Sequence, residues 1–182
     1  MARPREGPGP PSPRGRGPGK SMWGREQREW LKRTLHESDA LFKVLISPTP
    51  LVGPDRTNKR DNHSNAMAYK TEGTEFLNWI RENSIHNFYS CNGDRHWQYH
   101  SIHPTGHQEF SVGAMNRGNL AAVPPCPPEI QRPYAESTPG FLHVRVLAEG
   151  ADARAPRIVF ELRSDEGKIN YSLGQSVRPE RP

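Results

Sequence analysis

The residues of this 182-residue chain that are best suited to chemistry are Gly93, Asp94, Arg95 and His96. They follow a short apolar run, residues 87–91, of the kind that forms a buried strand. Parallel sheets bind ligands at the carboxyl ends of such strands. Asp94 and His96 can both turn toward one cation, and a carboxylate with an imidazole suits Zn, Fe or Mn. We therefore predict Asp94 and His96 as metal ligands, with Gly93 allowing the backbone to bend.

Arg95 has two possible roles. Its guanidinium could contact a phosphate in a bidentate manner, or it could form a salt bridge to a neighbouring carboxylate. An isolated Asp-x-His triplet is more often a surface turn in which Asp94 pairs with Arg95 and His96 caps a strand. The position after an apolar run and beside a long polar loop favours a metal site here.

That polar loop covers residues 48–70 and shows little periodicity. Loops longer than about 12–15 residues are uncommon in compact domains and are usually functional or disordered. This loop carries Asp61, Asn62 and His63, which could supply oxygen or nitrogen atoms to a site, although solvated turns contain the same residue types. We predict Asp61 and Asn62 as candidate catalytic residues near Arg95.

Five histidines lie close together, but their pattern does not predict a larger metal array. They are His86, His96, His100, His103 and His107. Pro104 and Gly106 are incompatible with a helix that would align them. In a strand the side chains alternate, so only His96 and His100 would share a face, and we expect the last three to be partly exposed.

Other kinds of catalytic motif are missing from the sequence. It has neither a Gly-x-Ser-x-Gly nucleophile elbow nor a Gly-rich phosphate-binding loop. Ser90 and Cys91 lie within the predicted strand, where a nucleophile would be buried. Metal-assisted hydrolysis is the chemistry that the sequence favours.

Two helices and two strands must position these residues. Apolar residues recur at three- and four-residue steps over residues 23–35, which predicts a helix that ends near residue 38. An apolar run at residues 42–47 predicts a buried strand, and a second helical stripe predicts a helix over residues 71–83. With the strand at 87–91 this makes a βαβ unit, whose strands should be parallel neighbours.

The sequence beyond His96 predicts an antiparallel tail. Strands are expected over residues 97–103, 108–112, 141–148, 157–162 and 168–173, where apolar residues alternate with polar ones. The proline-rich stretch at residues 113–140 is expected to be an irregular connection. The predicted fold class is therefore α/β with antiparallel strands at the C-terminus.

Composition limits how much of the chain can fold by itself. Only 32% of the residues are hydrophobic, and there are 19 Pro and 16 Gly, so part of the chain should be disordered or part of its core missing. Residues 1–20 hold +4 of the net charge of +5 and are predicted to be a disordered tail. This tail is either an arginine-glycine interaction segment or an artefact of the gene model. Because the charge lies there, we expect no nucleic-acid partner for the folded body.

We expect no membrane-spanning segment and no signal peptide in this chain. No stretch approaches the roughly 20 apolar residues that a membrane helix needs, and the N-terminus lacks an apolar core. Two cysteines cannot form a disulfide framework, and Cys91 is expected to be a buried packing residue. The sequence does not predict the compartment or the oligomeric state.

The motifs resemble those of PhoD-like alkaline phosphatases over about residues 17–175. The resemblance rests on Gln27-Arg28-Glu29-Trp30-Leu31, Lys43-Val44-Leu45-Ile46-Ser47 with Pro48-Thr49-Pro50, Asp61-Asn62, Cys91-Asn92-Gly93-Asp94-Arg95-His96 and Glu109-Phe110-Ser111. It implies a phosphate-ester hydrolase of the calcineurin-like metallophosphoesterase type, in which a four-layer α/β/β/α sandwich surrounds two metal ions. Fe, Ca, Zn and Mn are the divalent or trivalent candidates, and relatives of this kind are often exported.

By this resemblance Asp94 and His96 match the last metal-binding motif of the superfamily, whereas Arg95 and Asp61 match family positions only loosely. Ser47 stands where many relatives in the wider superfamily have a metal-binding His, which is a departure from the pattern. The earlier motifs are also missing from residues 1–20.

The chain is therefore expected to be an N-terminally truncated fragment. Residues 21–175 would form the C-terminal part of the phosphatase domain, residues 176–182 a tail, and the fragment would be marginally folded and inactive alone. The alternative is a non-catalytic truncated paralogue that acts as a binding module.

Overall fold

The helices and strands follow the predicted βαβ unit and then depart from the predicted tail. The computed structural model describes residues 20–147 and 156–177, so the tails predicted at 1–20 and 176–182 lie almost wholly outside the described residues. The helices are α1 (Gly24–Glu37) and α2 (Lys70–Glu82). The strands are β1 (Lys43–Ser47), β2 (Phe88–Asn92), β3 (Gln98–Ile102), β4 (Gln108–Val112), β5 (Gln131–Glu136), β6 (Gly140–Leu147), β7 (Arg157–Ser164) and β8 (Ile169–Ser176), with a 3-10 turn at Arg117–Asn119.

The first five strands form one sheet in the order β1-β2-β4-β3-β5. β1 and β2 are parallel neighbours joined through α2, which confirms the βαβ prediction. The tail prediction is wrong for β4, because β4 pairs parallel with β2 and so belongs to the α/β body. A tight turn at residues 103–107 folds β3 and β4 into a hairpin, and this hairpin places β4 between β2 and β3.

Two further expectations about this sheet are wrong. The stretch predicted to be an irregular connection contains β5, which pairs with β3 through an irregular register. This edge strand is hard to recognise in the sequence because it contains Pro133. Its residues are exposed or half-buried, so it also lacks the apolar run of a buried strand. The strand predicted to be buried at residues 42–47 is also an edge strand, and the side chain of Ile46 is 83% exposed.

The last three strands form a second, antiparallel sheet in the order β6-β7-β8, as the alternation predicted. Its inner face packs on the first sheet, where the Phe160 ring lies 4.2 Å from Phe110 and 4.9 Å from Tyr89 between ring centroids. Cys91 belongs to this core, which confirms that it is a packing residue. Burial raises the pKa of its thiol to about 12.

The helices cover the opposite face of the first sheet. Leu31 and Leu35 of α1 pack with Phe76, Leu77 and Ile80 of α2 in a second core cluster, which also takes in Leu51 and Val52 from the polar loop. The layers are therefore helices, the five-stranded sheet and the three-stranded sheet. None of the helices within the described residues is long and apolar enough to cross a membrane.

A buried carboxylate on α2 binds the segment that precedes α1. Glu72 is 3% exposed, and its Oε2 accepts the Met22 backbone N–H at 2.8 Å and lies 3.0 Å from His63 Nε2. The Ser21 hydroxyl also donates to this carboxylate. Burial alone would raise the pKa of Glu72, but the bonds from His63 and Ser21 outweigh it and lower the pKa to about 2.

Glu72 should therefore make the folding stability of the chain depend on pH in the acidic range. Because its pKa is lower in the folded chain than the unfolded value near 4.5, its contribution is complete above that pH and is lost as pH falls toward 2. The shift corresponds to about 3 kcal/mol. Thermal unfolding of the wild type and of Glu72→Gln from pH 7 to pH 2 should show a stability difference that shrinks in this window; a difference independent of pH would contradict the assignment.

Candidate active site

The Gly93–His96 motif lies at the carboxyl end of β2, beside the end of β1. The Gly93 N–H donates to the Ser47 carbonyl at 3.4 Å. The sharp bend occurs at Asp94, whose φ is +58°, so the role predicted for Gly93 is wrong. Aspartate tolerates the left-handed region better than most residues. The bend turns the Asp94 side chain out of the sheet, where it is half exposed.

Ser47, at the end of β1, belongs to a turn. It is 6% exposed, its hydroxyl donates to the Thr49 carbonyl at 2.6 Å, and the Thr49 N–H donates back to the same hydroxyl at 3.3 Å. These bonds hold the chain as it leaves β1 and enters the polar loop. Ser47 therefore shapes the backbone beneath the motif.

Arg95 is the centre of the site and is only 2% exposed. Its Nη1 lies 2.5 Å from Asp94 Oδ2, and its Nη2 lies 2.6 Å from Asp55 Oδ2 and 3.4 Å from Asp61 Oδ1. Of the two roles open to Arg95, the salt bridge is formed in the structure. Burial raises the pKa of Asp55, and the charge of Arg95 opposes that shift.

Asp61 and Asn62 both lie close to Arg95 but in different surroundings. The Asp61 side chain is 52% exposed, so it stands at the rim of the site. Asn62 is fully buried, donates from Nδ2 to Asp55 Oδ2 at 2.7 Å, and accepts the backbone N–H groups of Ser64 and Asn65 at Oδ1. Asn62 therefore shapes the loop and orients Asp55, the residue that directly contacts Arg95.

His96 is exposed, and its main chain is fixed by the Ala121 N–H, which donates to the His96 carbonyl at 3.1 Å. Nowhere in residues 20–147 and 156–177 do three or more His, Cys, Asp or Glu side chains converge in a way that could hold a metal ion. The carboxylate of Asp94 and the imidazole of His96 suit a transition-metal cation in kind. Two donors are fewer than the three protein ligands of a typical catalytic zinc site.

His100 and His107 of the cluster are held by protein groups. His100 and His107 are 1% and 5% exposed, so the expectation of partial exposure is wrong for them. His107 Nε2 lies 2.8 Å from the Ser90 hydroxyl, and His100 Nε2 lies 3.0 Å from Gln108 Oε1. Burial lowers the pKa of His107 to about 3 and that of His100 to about 4, which keeps both neutral near pH 7.

A second buried carboxylate, Glu109, lies behind the site; it belongs to the Glu109-Phe110-Ser111 motif of the resemblance, but no role in the site was predicted for it. It accepts the backbone N–H groups of Leu51, Val52 and Gly53 at 2.6–3.1 Å. The Tyr99 hydroxyl donates to it at 2.8 Å and accepts from Asn92 Nδ2 at 2.9 Å. This chain of bonds connects the end of β2, where the motif begins, to the loop that carries Asp55.

Asp55 is one of the polar residues that favour a functional loop, but it was not predicted as a site residue, because an Asp that follows a Pro in a polar loop is typical of a turn. Its burial arises only when the loop folds back over the end of the sheet. The spacing from Pro54-Asp55 to Asp61-Asn62 shows that the loop carries several acidic and amide side chains. It does not identify which of these side chains is buried.

Comparison with known proteins identifies the family. No curated protein matches the sequence. A family model described as PhoD-like phosphatase matches residues 9–142, which is more than half of the chain. The chain belongs to the PhoD-like phosphatase family.

A solved structure, described as "Structure of PhoD", is similar to this chain with a TM-score of 0.54 and 15% sequence identity. The match covers 84% of this chain and 32% of the solved one, so this PhoD-like chain spans about a third of its relative's length. At that identity the likeness shows the fold, and it confirms the predicted α/β class with antiparallel strands at the C-terminus.

The two aspartates that contact Arg95 Nη2 should differ sharply in their effect on stability. Asp55→Asn removes the partner of a buried ion pair, which typically costs about 3–5 kcal/mol. Asp61→Asn removes a half-exposed partner and should cost less than about 1 kcal/mol. Urea unfolding of the two variants measures both values, and equal losses would refute Asp55 as the main partner of Arg95.

Proposed function

We propose that this chain supplies one side of the active site of a metal-dependent phosphoester hydrolase. The observation that carries the proposal is the position of Asp94 and His96. Both follow β2 at the carboxyl end of the parallel strands, next to a buried arginine, in a chain of the PhoD-like phosphatase family. The substrate class proposed is a phosphate ester.

Asp94 and His96 are the proposed metal ligands. Asp94 Oδ2 is bound to Arg95, which leaves Oδ1 as the oxygen for a cation. The exposed His96 imidazole adds a nitrogen donor, and Fe, Zn, Mn and Ca are the candidate ions. When bound, such cations neutralise phosphoryl oxygens and lower the pKa of an attacking water.

Arg95 has a positioning role in this proposal. Because it is almost fully buried, it acts from behind Asp94, where it fixes the carboxylate and adds positive charge near a phosphoryl group. Asp61 is proposed to act at the rim, since it is exposed and close to Arg95. Asn62 is proposed to act through Asp55, whose carboxylate it holds at 2.7 Å.

We also propose that the 182 residues are inactive alone and that the remaining ligands come from additional polypeptide. Two observations support this. The described residues offer two donors at the motif, and the chain corresponds to 32% of the solved PhoD chain. A complete two-metal site needs more ligands than these.

Metal binding tests the proposal directly. The purified chain should bind Mn²⁺, measured by the loss of the free-ion signal in electron paramagnetic resonance, and the Asp94→Ala/His96→Ala variant should bind about tenfold more weakly or not at all. Hydrolysis of p-nitrophenyl phosphate should be undetectable for both proteins.

The matched control is His36→Ala/Asp39→Ala, which removes an exposed His and an exposed Asp that are also close in sequence. This control should bind Mn²⁺ like the wild type. If the wild type binds no Mn²⁺, Zn²⁺, Fe²⁺ or Ca²⁺, or if both double variants lose binding equally, the metal-site proposal fails and the non-catalytic alternative is favoured.

A further inference from the structure

A short turn of the polar loop, residues 56–60, carries three cationic side chains beside the candidate site. They belong to Arg56, Lys59 and Arg60, and the one carboxylate next to them in the sequence is that of Asp61. Both arginines are exposed, and the Lys59 side chain is partly exposed. We refer to residues 56–60 as the cationic turn. The buried arginine of the site lies behind it, so the cationic turn is a separate group of positive charges.

The backbone of the cationic turn is fixed by hydrogen bonds within this chain. The Lys59 N–H donates to the Arg56 carbonyl at 3.0 Å, which closes the turn. Asn65 Nδ2 donates to the carbonyls of Arg56 and Lys59 at 2.7 and 3.1 Å. The Asn65 N–H is in turn bound by Asn62 Oδ1 at 2.8 Å. The cations are therefore carried by a loop that is already ordered, which lowers the entropy cost of binding a ligand there.

Two contacts place Arg56 next to the Gly93–His96 motif. Its guanidinium carbon lies 5.8 Å from the ring centroid of Trp97, the residue after the motif, which is within the range of a cation–π contact. Its backbone N–H donates to Asp55 Oδ1 at 2.7 Å, and the other oxygen of this carboxylate binds Arg95. The argument for a binding role therefore rests on the position of Arg56 beside the motif and not on its exposure alone.

The two arginines near the motif differ in what their guanidinium groups already bind. Both Nη atoms of Arg95 are occupied by carboxylates. The Arg56 guanidinium has no carboxylate and no hydrogen-bond acceptor among residues 20–147 and 156–177. A guanidinium offers a planar set of N–H donors that matches a phosphate group. Lys59 Nζ lies 4.0 Å from Asp61 Oδ2, and both side chains are partly solvated, so this pair is weak.

We propose that the cationic turn binds a second phosphate group of the substrate, while the reacting phosphate ester lies at Asp94 and His96. The inference rests on the proposed hydrolase function and narrows its substrate class to phosphate esters that carry a further phosphate. Arg56 supplies the N–H donors that contact the second phosphate, and Lys59 and Arg60 add positive charge around it. A substrate with a single phosphate leaves the donors of Arg56 unused.

Isothermal titration calorimetry of the whole chain in Mn²⁺ tests the proposal with two probes that differ by one phosphate, fructose 1,6-bisphosphate and fructose 6-phosphate. The wild type should bind the bisphosphate tighter by about tenfold, as one charge-assisted contact typically contributes. Arg56→Gln should remove most of this preference, and Arg56→Lys should keep part of it, because lysine retains the charge but not the planar donors. The matched control is Arg33→Gln, which removes an exposed arginine of α1 that has no carboxylate partner in the described part of the chain. This control should keep the wild-type preference.

The charges of residues 1–20 are common to all these proteins, so differences between variants report on the cationic turn. Circular dichroism should show that Arg56→Gln is folded. If it is not, Lys59→Gln decides, with a smaller loss of preference expected because Lys59 already lies near Asp61.

A titration of the metal-free chain, prepared with a chelating resin, separates this inference from the metal-site proposal. The bisphosphate should still bind, more weakly and with a steep dependence on salt. Arg56→Gln should weaken that binding, whereas Asp94→Ala/His96→Ala should leave it unchanged. Loss of Mn²⁺ binding with this pattern intact would refute the metal site and retain the anion site. Equal binding of both probes by the wild type, or equal losses in Arg56→Gln and Arg33→Gln, would overturn the inference.

Discussion

The buried carboxylate of Glu109 is the interaction on which the candidate site depends. It is fully buried and accepts three consecutive backbone N–H groups, from Leu51 to Gly53, together with the Tyr99 hydroxyl. Hydrogen bonds to a charged acceptor typically contribute about 1.5–3 kcal/mol each, whereas an unpaired buried carboxylate is strongly unfavourable. The central strand β4 and the polar loop therefore fold together.

The fixed loop determines what surrounds Arg95. Once Gly53 is bound to Glu109, Asp55 follows within two residues and reaches the buried guanidinium. Asp55, Asp61 and Asp94 then place three carboxylates around Arg95 at the end of β2, and Lys59 Nζ lies 4.0 Å from Asp61 Oδ2.

The sequence predicts the parts of the fold whose signal is local. The βαβ unit follows from hydrophobic periodicity, and the paired strands β6 and β7 follow from alternation. β4 joins the parallel part of the sheet because of the β3–β4 hairpin, and β1 is an edge strand because no described strand lies beyond it. Both facts depend on tertiary neighbours, which a run of apolar residues cannot reveal.

The candidate site shows the same division. Asp94, Arg95 and Asp61 could be named because their residue types and order are distinctive, and the structure brings these three together. Glu109 is part of the Glu109-Phe110-Ser111 motif of the resemblance, but its role could not be predicted, since its N–H partners lie more than 50 residues away in the sequence. The residue with left-handed backbone conformation is Asp94 and not the adjacent Gly93. In this conformation the Asp94 carboxylate binds Arg95, a tertiary contact that the sequence pattern does not show.

The buried position of Cys91 makes its thiol a reporter of how often the two sheets separate. Its thiol lies between the two sheets with a pKa near 12, so almost no reactive thiolate exists there near neutral pH. Cys126 is partly exposed and offers an alkylating reagent a contrasting, accessible thiol in the same chain. Modification of Cys91 must wait until the three-stranded sheet lifts from the five-stranded one. The rate at which that single thiol is consumed therefore records how often the sandwich opens.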